Sequence, residues 1–252
     1  MADSDSNQAL KPPRLPPLIP GIYNYCDGRC ARCRFSQRCL SHLARERFDK
    51  GDDRSDVFDE IIREREVEPR EPPQEFLDAV FEANDRFKEE EMSEELEEAL
   101  REHEAQLERA HVDHLVVAAH HYARTAWTVA EALERVGASR SDPVTIEAVE
   151  TIGELAGTVA SKTFRAVSSS LGEDFDLFDL DHDANGSAKV ARLTIAESKR
   201  AWYALMETGR AAADGVPIAM FRVLDEIDAG LAARFPRAMA FVRPGFDTEH
   251  PP

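Results

Sequence analysis

No cysteine lies outside residues 26 to 39 of this 252-residue chain, and that stretch holds four. Small secreted domains spread their cysteines to staple a core too thin to hold itself. A chain of this length builds its core without staples, so disulfides are not expected. Also missing are any run approaching the roughly 18 apolar residues of a membrane span and, in the opening MADSDSNQAL, the basic and apolar regions of a secretion leader. A cytoplasmic location away from membranes is expected. Strand-like alternation is scarce while Ala, Leu and Glu abound, which points to an all-α helical bundle. Basic excess is lacking as well: the formal charge is −18, of which residues 51 to 110 carry −15. That field repels phosphate and argues against broad nucleic-acid binding. A di-metal carboxylate site in a bundle needs Glu-x-x-His segments on two facing helices. No pair of such segments is found, which counts against a ferritin-like oxidase or oxygenase.

What is present is concentrated. The segment Tyr23-Asn-Tyr-Cys26-Asp-Gly-Arg-Cys30-Ala-Arg-Cys33-Arg-Phe-Ser-Gln-Arg-Cys39 has the spacing C-x3-C-x2-C-x5-C and carries a local charge of +3 over residues 21 to 40. Thiolates suit both zinc and iron–sulfur clusters. Structural zinc usually takes two separated C-x2-4-C knuckles. Three sulfurs within eight residues and a fourth six residues later are nearer the single-loop runs that wrap a [4Fe–4S] cluster. Cys26, Cys30, Cys33 and Cys39 are therefore the candidate ligands of a [4Fe–4S] cluster, with Zn(II) as the alternative. Arg29, Arg32, Arg34 and Arg38 interleave them and would offset the negative charge of either centre. Tyr23, Tyr25 and Phe35 either cover the site or offer faces to a base. The first three cysteines also resemble the cluster signature of radical S-adenosylmethionine enzymes. That barrel needs alternating strands and helices, whereas this chain reads as helical.

Three regions are expected. Residues 1–48 form a Pro-rich lead and the four-cysteine module, 49–74 a charged linker, and 75–252 the bundle. In the lead, KPPRLPPLIP cannot be helix, and Leu15, Leu18 and Ile19 suggest that it docks. Residues 40–48 read as a short helix, and Val57, Phe58, Ile61 and Ile62 as an amphipathic turn or two. An acidic helical stretch from about Pro73 to Ala110 shows an apolar stripe of Phe76, Val80, Phe81 and Phe87, restarting at an N-cap, Ser93. A helix from about His111 to Arg135 places His111 inside its apolar face and His114 and His121 at the edge of it. Asp142-Pro143 opens a helix to about Ser170. Its Glu147, Glu150 and Glu154, continued by Lys162 and Arg165, form a polar arc suited to a surface or an interface. Asp181-His-Asp183-Ala-Asn185-Gly186 begins like a calcium loop but meets Arg192 where a bidentate Glu belongs, so it reads as a left-handed turn before a helix over about 187–213. Glu197 interrupts the apolar stripe of that helix, and a buried carboxylate needs a partner, a Lys, an Arg, His114 or a metal, with a structural ion pair as the leading reading. His114, His121 and Glu197 are the candidates for a second metal site in the body, the reading that would make this chain a metalloenzyme. Pro217 opens a final helix to about Arg234. The rigid Arg243-Pro-Gly-Phe246 turn offers a guanidinium to an anion or to backbone carbonyls. No catalytic residue, substrate or protein partner is named by the sequence.

The segments IPGIYNYC with its following cysteines, DANGSAKV and FVRPGFD together resemble a family of uncharacterised bacterial proteins. The resemblance implies a shared helical fold and a metal centre on the four cysteines, and no activity.

Overall fold

The computed structural model describes residues 15–52, 54–65, 94–135, 142–172, 175–176, 178–209 and 215–248. Among the described residues all regular structure is helical, as expected. Two short helices, α1 (Leu40–Asp49) and α2 (Val57–Arg65), follow the cysteine loop. The body consists of α3 (Glu94–His111), α4 (His114–Arg135), α5 (Pro143–Ser169), α6 (Asp183–Glu207) and α7 (Val216–Arg234).

The most extensive pairing is α5 with α6; α4 packs on α5, and α7 closes against α4 and α6. Small residues make the approach possible. Ala148, Ala156, Ala160 and Ala166 of α5 and Ala184, Ala188, Ala191 and Ala201 of α6 are all buried, and short side chains let helix backbones come near each other. Larger groups fill the remaining space, among them Ile152, Ile195, Leu205, Leu224 and Ile227. Each such side chain removed from water contributes about 1.5–3 kcal/mol. Trp202 and Tyr122 are both fully buried, and the indole N–H donates to the Tyr122 hydroxyl at 3.2 Å, so the largest core residue leaves no donor stranded.

The helix ends follow the capping signals. The Asp142 carboxylate accepts from the Thr145 N–H at 2.8 Å, and Pro143 takes the first turn of α5. One boundary differs from expectation. The helix anticipated from His111 is split, because Asp113 accepts from the Leu115 N–H at 2.9 Å and so caps α4, while Arg234 holds its other oxygen at 2.7 Å. His111 therefore ends α3, exposed, its ring 4.6 Å from that of Phe164.

Within the region read as linker, α2 buries Val57 and Ile61 against Leu43 and Ala44 of α1. The Pro-rich lead does dock where it is described: the Arg65 guanidinium donates to Pro16 O at 3.0 Å and to Gln37 O at 2.5 Å, and Ile19 is buried. The rest of that lead, the Phe76, Val80, Phe81 and Phe87 stripe and the Ser93 cap lie outside the described residues.

Candidate metal centre

Between Ile19 and Leu40 the chain turns repeatedly without forming a full helix. Short 3-10 turns span Ile22–Tyr25, Cys30–Arg32 and Ser36–Arg38. Each cysteine sits at an edge of one: Cys26 follows the first, Cys30 begins the second, Cys33 ends it, and Cys39 ends the third and precedes α1. Gly28, at φ +81°, reverses the chain between Cys26 and Cys30 in a left-handed conformation costly for other residues. The spacing of the motif is thus the spacing of the turns.

The turns bring all four thiols to one narrow cleft of about 20 Å³, which Ile22, Tyr23, Asp27, Ser36, His42 and Phe246 also line. None of the cysteines is disulfide-bonded. The Phe35 N–H points at Cys33 Sγ at 3.4 Å, and the Cys26 thiol donates to Tyr23 O at 3.5 Å. Burial pushes both the Cys26 and Cys30 thiols up, and their neighbours add to this, Cys30 on Cys26 and both Cys39 and Cys33 on Cys30. Lys162 opposes the shift at Cys26 and Arg45 at Cys30. Among the described residues no three His, Cys, Asp or Glu side chains meet as they would around a single metal ion.

The helical body grips this loop by its backbone. Thr158 Oγ1 donates to Asp27 O at 2.8 Å, Lys162 Nζ to Asn24 O at 2.5 Å, and Arg165 to Asn24 Oδ1 at 3.2 Å. The polar arc of α5 is therefore an interface within the chain. Its carboxylates take part: Glu150 and Glu154 stand 3.2 and 3.5 Å from the Arg32 guanidinium. Glu147 lies outside these pairs and borders a surface groove with Arg200.

Glu197 has the ion-pair partner expected of it, but not the full burial. It is only partly buried, 36% exposed, and meets the Arg29 guanidinium at 2.7 Å, while Arg29 also holds Asp27 at 2.8 Å. Burial alone would lower the Arg29 pKa, but the two carboxylates outweigh it and raise it. The carboxylate inside the apparent stripe faces the cysteine loop because α6 packs on two sides, the body on one and the loop on the other. His114 is 75% exposed with its ring 3.7 Å from Asp113, and His121 is exposed. The second-site candidates are thus committed to separate surroundings.

The DANGSAKV segment is also reassigned. Asn185 and Gly186 are not a left-handed turn; they lie in the first turn of α6, which His182 caps by accepting from the Ala184 N–H at 3.1 Å. Gly186 is required by space: a Cβ there would stand 2.4 Å from the Tyr25 ring and 2.7 Å from the Phe241 ring. Asp183 binds Arg165 at 2.6 Å and Ser169 at 3.0 Å and accepts from the Tyr25 hydroxyl at 3.0 Å. Burial and this carboxylate push Tyr25 up to about 12. The terminal turn offers no free guanidinium, since Arg243 pairs with Asp247 at 3.0 Å and lies 5.0 Å over the Phe246 ring. Phe246 meets Phe35 edge-on at 5.2 Å, and Gly245 packs against Ile19 and Ile22. Phe35 is buried there and Tyr25 lies against Phe241, which leaves only Tyr23 of the three aromatics exposed.

The three segments that carried the family resemblance therefore meet one another beside the cysteine loop, through Tyr25, Gly186 and Phe241. Asp27, Ser36, His42 and Phe246 were not foreseen as lining residues; the adjacency of Phe246 to the conspicuous Arg-Pro-Gly turn was the one sequence signal for them. Searches against protein-family models, curated proteins and solved structures returned no match.

Proposed function

We propose that this chain is a metal-centre protein that carries a [4Fe–4S] cluster on Cys26, Cys30, Cys33 and Cys39. The observation that carries the reading is that four unpaired thiols, the chain's whole complement, line a single cleft. Their spacing, C-x3-C-x2-C-x5-C in one loop, favours a cluster over zinc, which usually takes two separated knuckles. The backbone N–H aimed at Cys33 Sγ is the kind of donor that tunes the charge on a cluster thiolate. Lys162 and Arg45 supply positive charge at Cys26 and Cys30. A bound cluster would supply one-electron chemistry or a redox-sensitive brace, and the protein's own residues hold its ligand loop in register.

The test is chemical analysis of protein purified without oxygen. The expected product is brown, with about four irons and four sulfides per chain, and Cys33→Ser loses both while keeping its helical circular dichroism. Colourless protein holding one zinc per chain selects the alternative, a zinc-braced interaction module. Iron or zinc held undiminished in Cys33→Ser would place the centre elsewhere and reopen the metalloenzyme reading.

A further inference from the structure

The four thiols stand in unequal surroundings. Cys39 is 8% exposed within the apolar cluster of Ile19, Ile22 and Phe35, and Cys33 and Phe246 pack against that cluster. Cys33 Sγ also has the Phe35 N–H directed at it at 3.4 Å. Cys26 lies near Lys162 of α5, which opposes the rise in its pKa and is itself tied to Asn24 O at 2.5 Å.

Cys30 differs from the other three. With Asp27, Gly28 and Arg29 it lines the inner cleft, and these same four residues line an outer groove of about 420 Å³ that Arg32, Arg45, Glu154 and Ser161 also border. Cys26, Cys33 and Cys39 are not among the residues of that groove. Arg45 is exposed there, and its charge is what opposes the rise in the Cys30 pKa. The Cys30 thiol therefore feels a side chain that stands in solvent, whereas Cys33 and Cys39 are set among apolar groups.

This asymmetry bears on how a bound centre would come apart. Releasing Cys39 or Cys33 means disturbing the packing of Ile19, Ile22, Phe35 and Phe246, and packed side chains yield at a cost. A ligand at the edge of a groove turns away without that cost. Oxidation of cysteine ligands follows thiolate character and exposure, and exposure also tunes the potential of a cluster.

We propose that Cys30 is the labile ligand of the centre, the corner at which a small one-electron oxidant opens it, so that the loop senses oxidants from one side. The inference rests on the cluster reading of the four thiols. A [4Fe–4S]2+ core would give one electron to the oxidant and release the iron at Cys30 as Fe2+, which leaves [3Fe–4S]+ on Cys26, Cys33 and Cys39. The freed Cys30 thiolate takes a proton from solvent.

The test uses intact protein purified without oxygen, treated with one equivalent of ferricyanide and then with iodoacetamide, and read by peptide mass spectrometry. Cys30 should take up label roughly tenfold faster than Cys26, Cys33 or Cys39, as iron falls by about one per chain and the paramagnetic resonance of a three-iron cluster appears. Cys30→Ser should keep a three-iron centre with its sulfide, in contrast to Cys33→Ser, which loses the metal. Iron-loaded protein that labels first at another cysteine, labels all four together, or loses the whole centre in Cys30→Ser would overturn this proposal and leave the cluster reading standing. Protein that holds no iron as isolated would overturn both.

Discussion

The helical body and the cysteine loop are held by different means. The body buries a large, continuous apolar cluster contributed by α4 to α7. The loop buries only Ile19, Ile22, Phe35 and Cys39 as its own cluster, and otherwise depends on hydrogen bonds from α5 and on ion pairs with Arg29 and Arg32. A few apolar groups cannot offset the entropy of ordering some twenty residues at about 1–2 kcal/mol each. The body has a core of its own, whereas the loop needs the body's grip and, on the proposed reading, a metal centre to close it.

The contrast is broken most strongly from the body's side. Leu224→Ala, at a fully buried core position of α7, should cost about 2–5 kcal/mol and lower the urea midpoint, with iron per chain unchanged. Equal loss of iron would show that the two regions are one cooperative unit. Gly186→Ala attacks the seam between them. The added methyl meets the Tyr25 and Phe241 rings, an overpacking of about 1–3 kcal/mol only partly offset by the roughly 1 kcal/mol helix preference of alanine. Here the metal content should fall more than the melting temperature does.

The smallest effect concerns pH. Burial would raise the Asp247 pKa, but hydrogen bonds from Arg243 and Lys189 outweigh it and hold the carboxyl well below the usual range. Its folded pKa lies below the unfolded value of roughly 3.9, so its stabilisation is present at neutral pH and is lost as pH falls through and below that value. The stability difference between parent and Asp247→Asn should be about 1 kcal/mol at pH 7 and shrink below about pH 4. A difference that stays constant to pH 2 contradicts this.

The helices were legible in the sequence because their signals are local: Asp142-Pro143 opened α5 and Pro217 opened α7 where expected. The four-cysteine motif was legible for the same reason. What local pattern could not carry was the second side of α6. Glu197 looked like a buried carboxylate in an apolar stripe because the stripe shows that a face is covered, not by what. Gly186 looked like a turn residue because glycine has two uses, and only the positions of Tyr25 and Phe241, 161 residues earlier and 55 later, decide between left-handed backbone and lack of room. The split at Asp113 depended on Arg234, equally remote in the chain.

Phe246 forms part of the wall around thiols that belong to residues 26 to 39. On the ribosome, every one of those sulfurs emerges long before the ring that helps enclose them. During synthesis the nascent loop therefore lacks that wall, and on the proposed reading stays open to a donor of iron or sulfide, until α7 has been made and the chain returns to shut it.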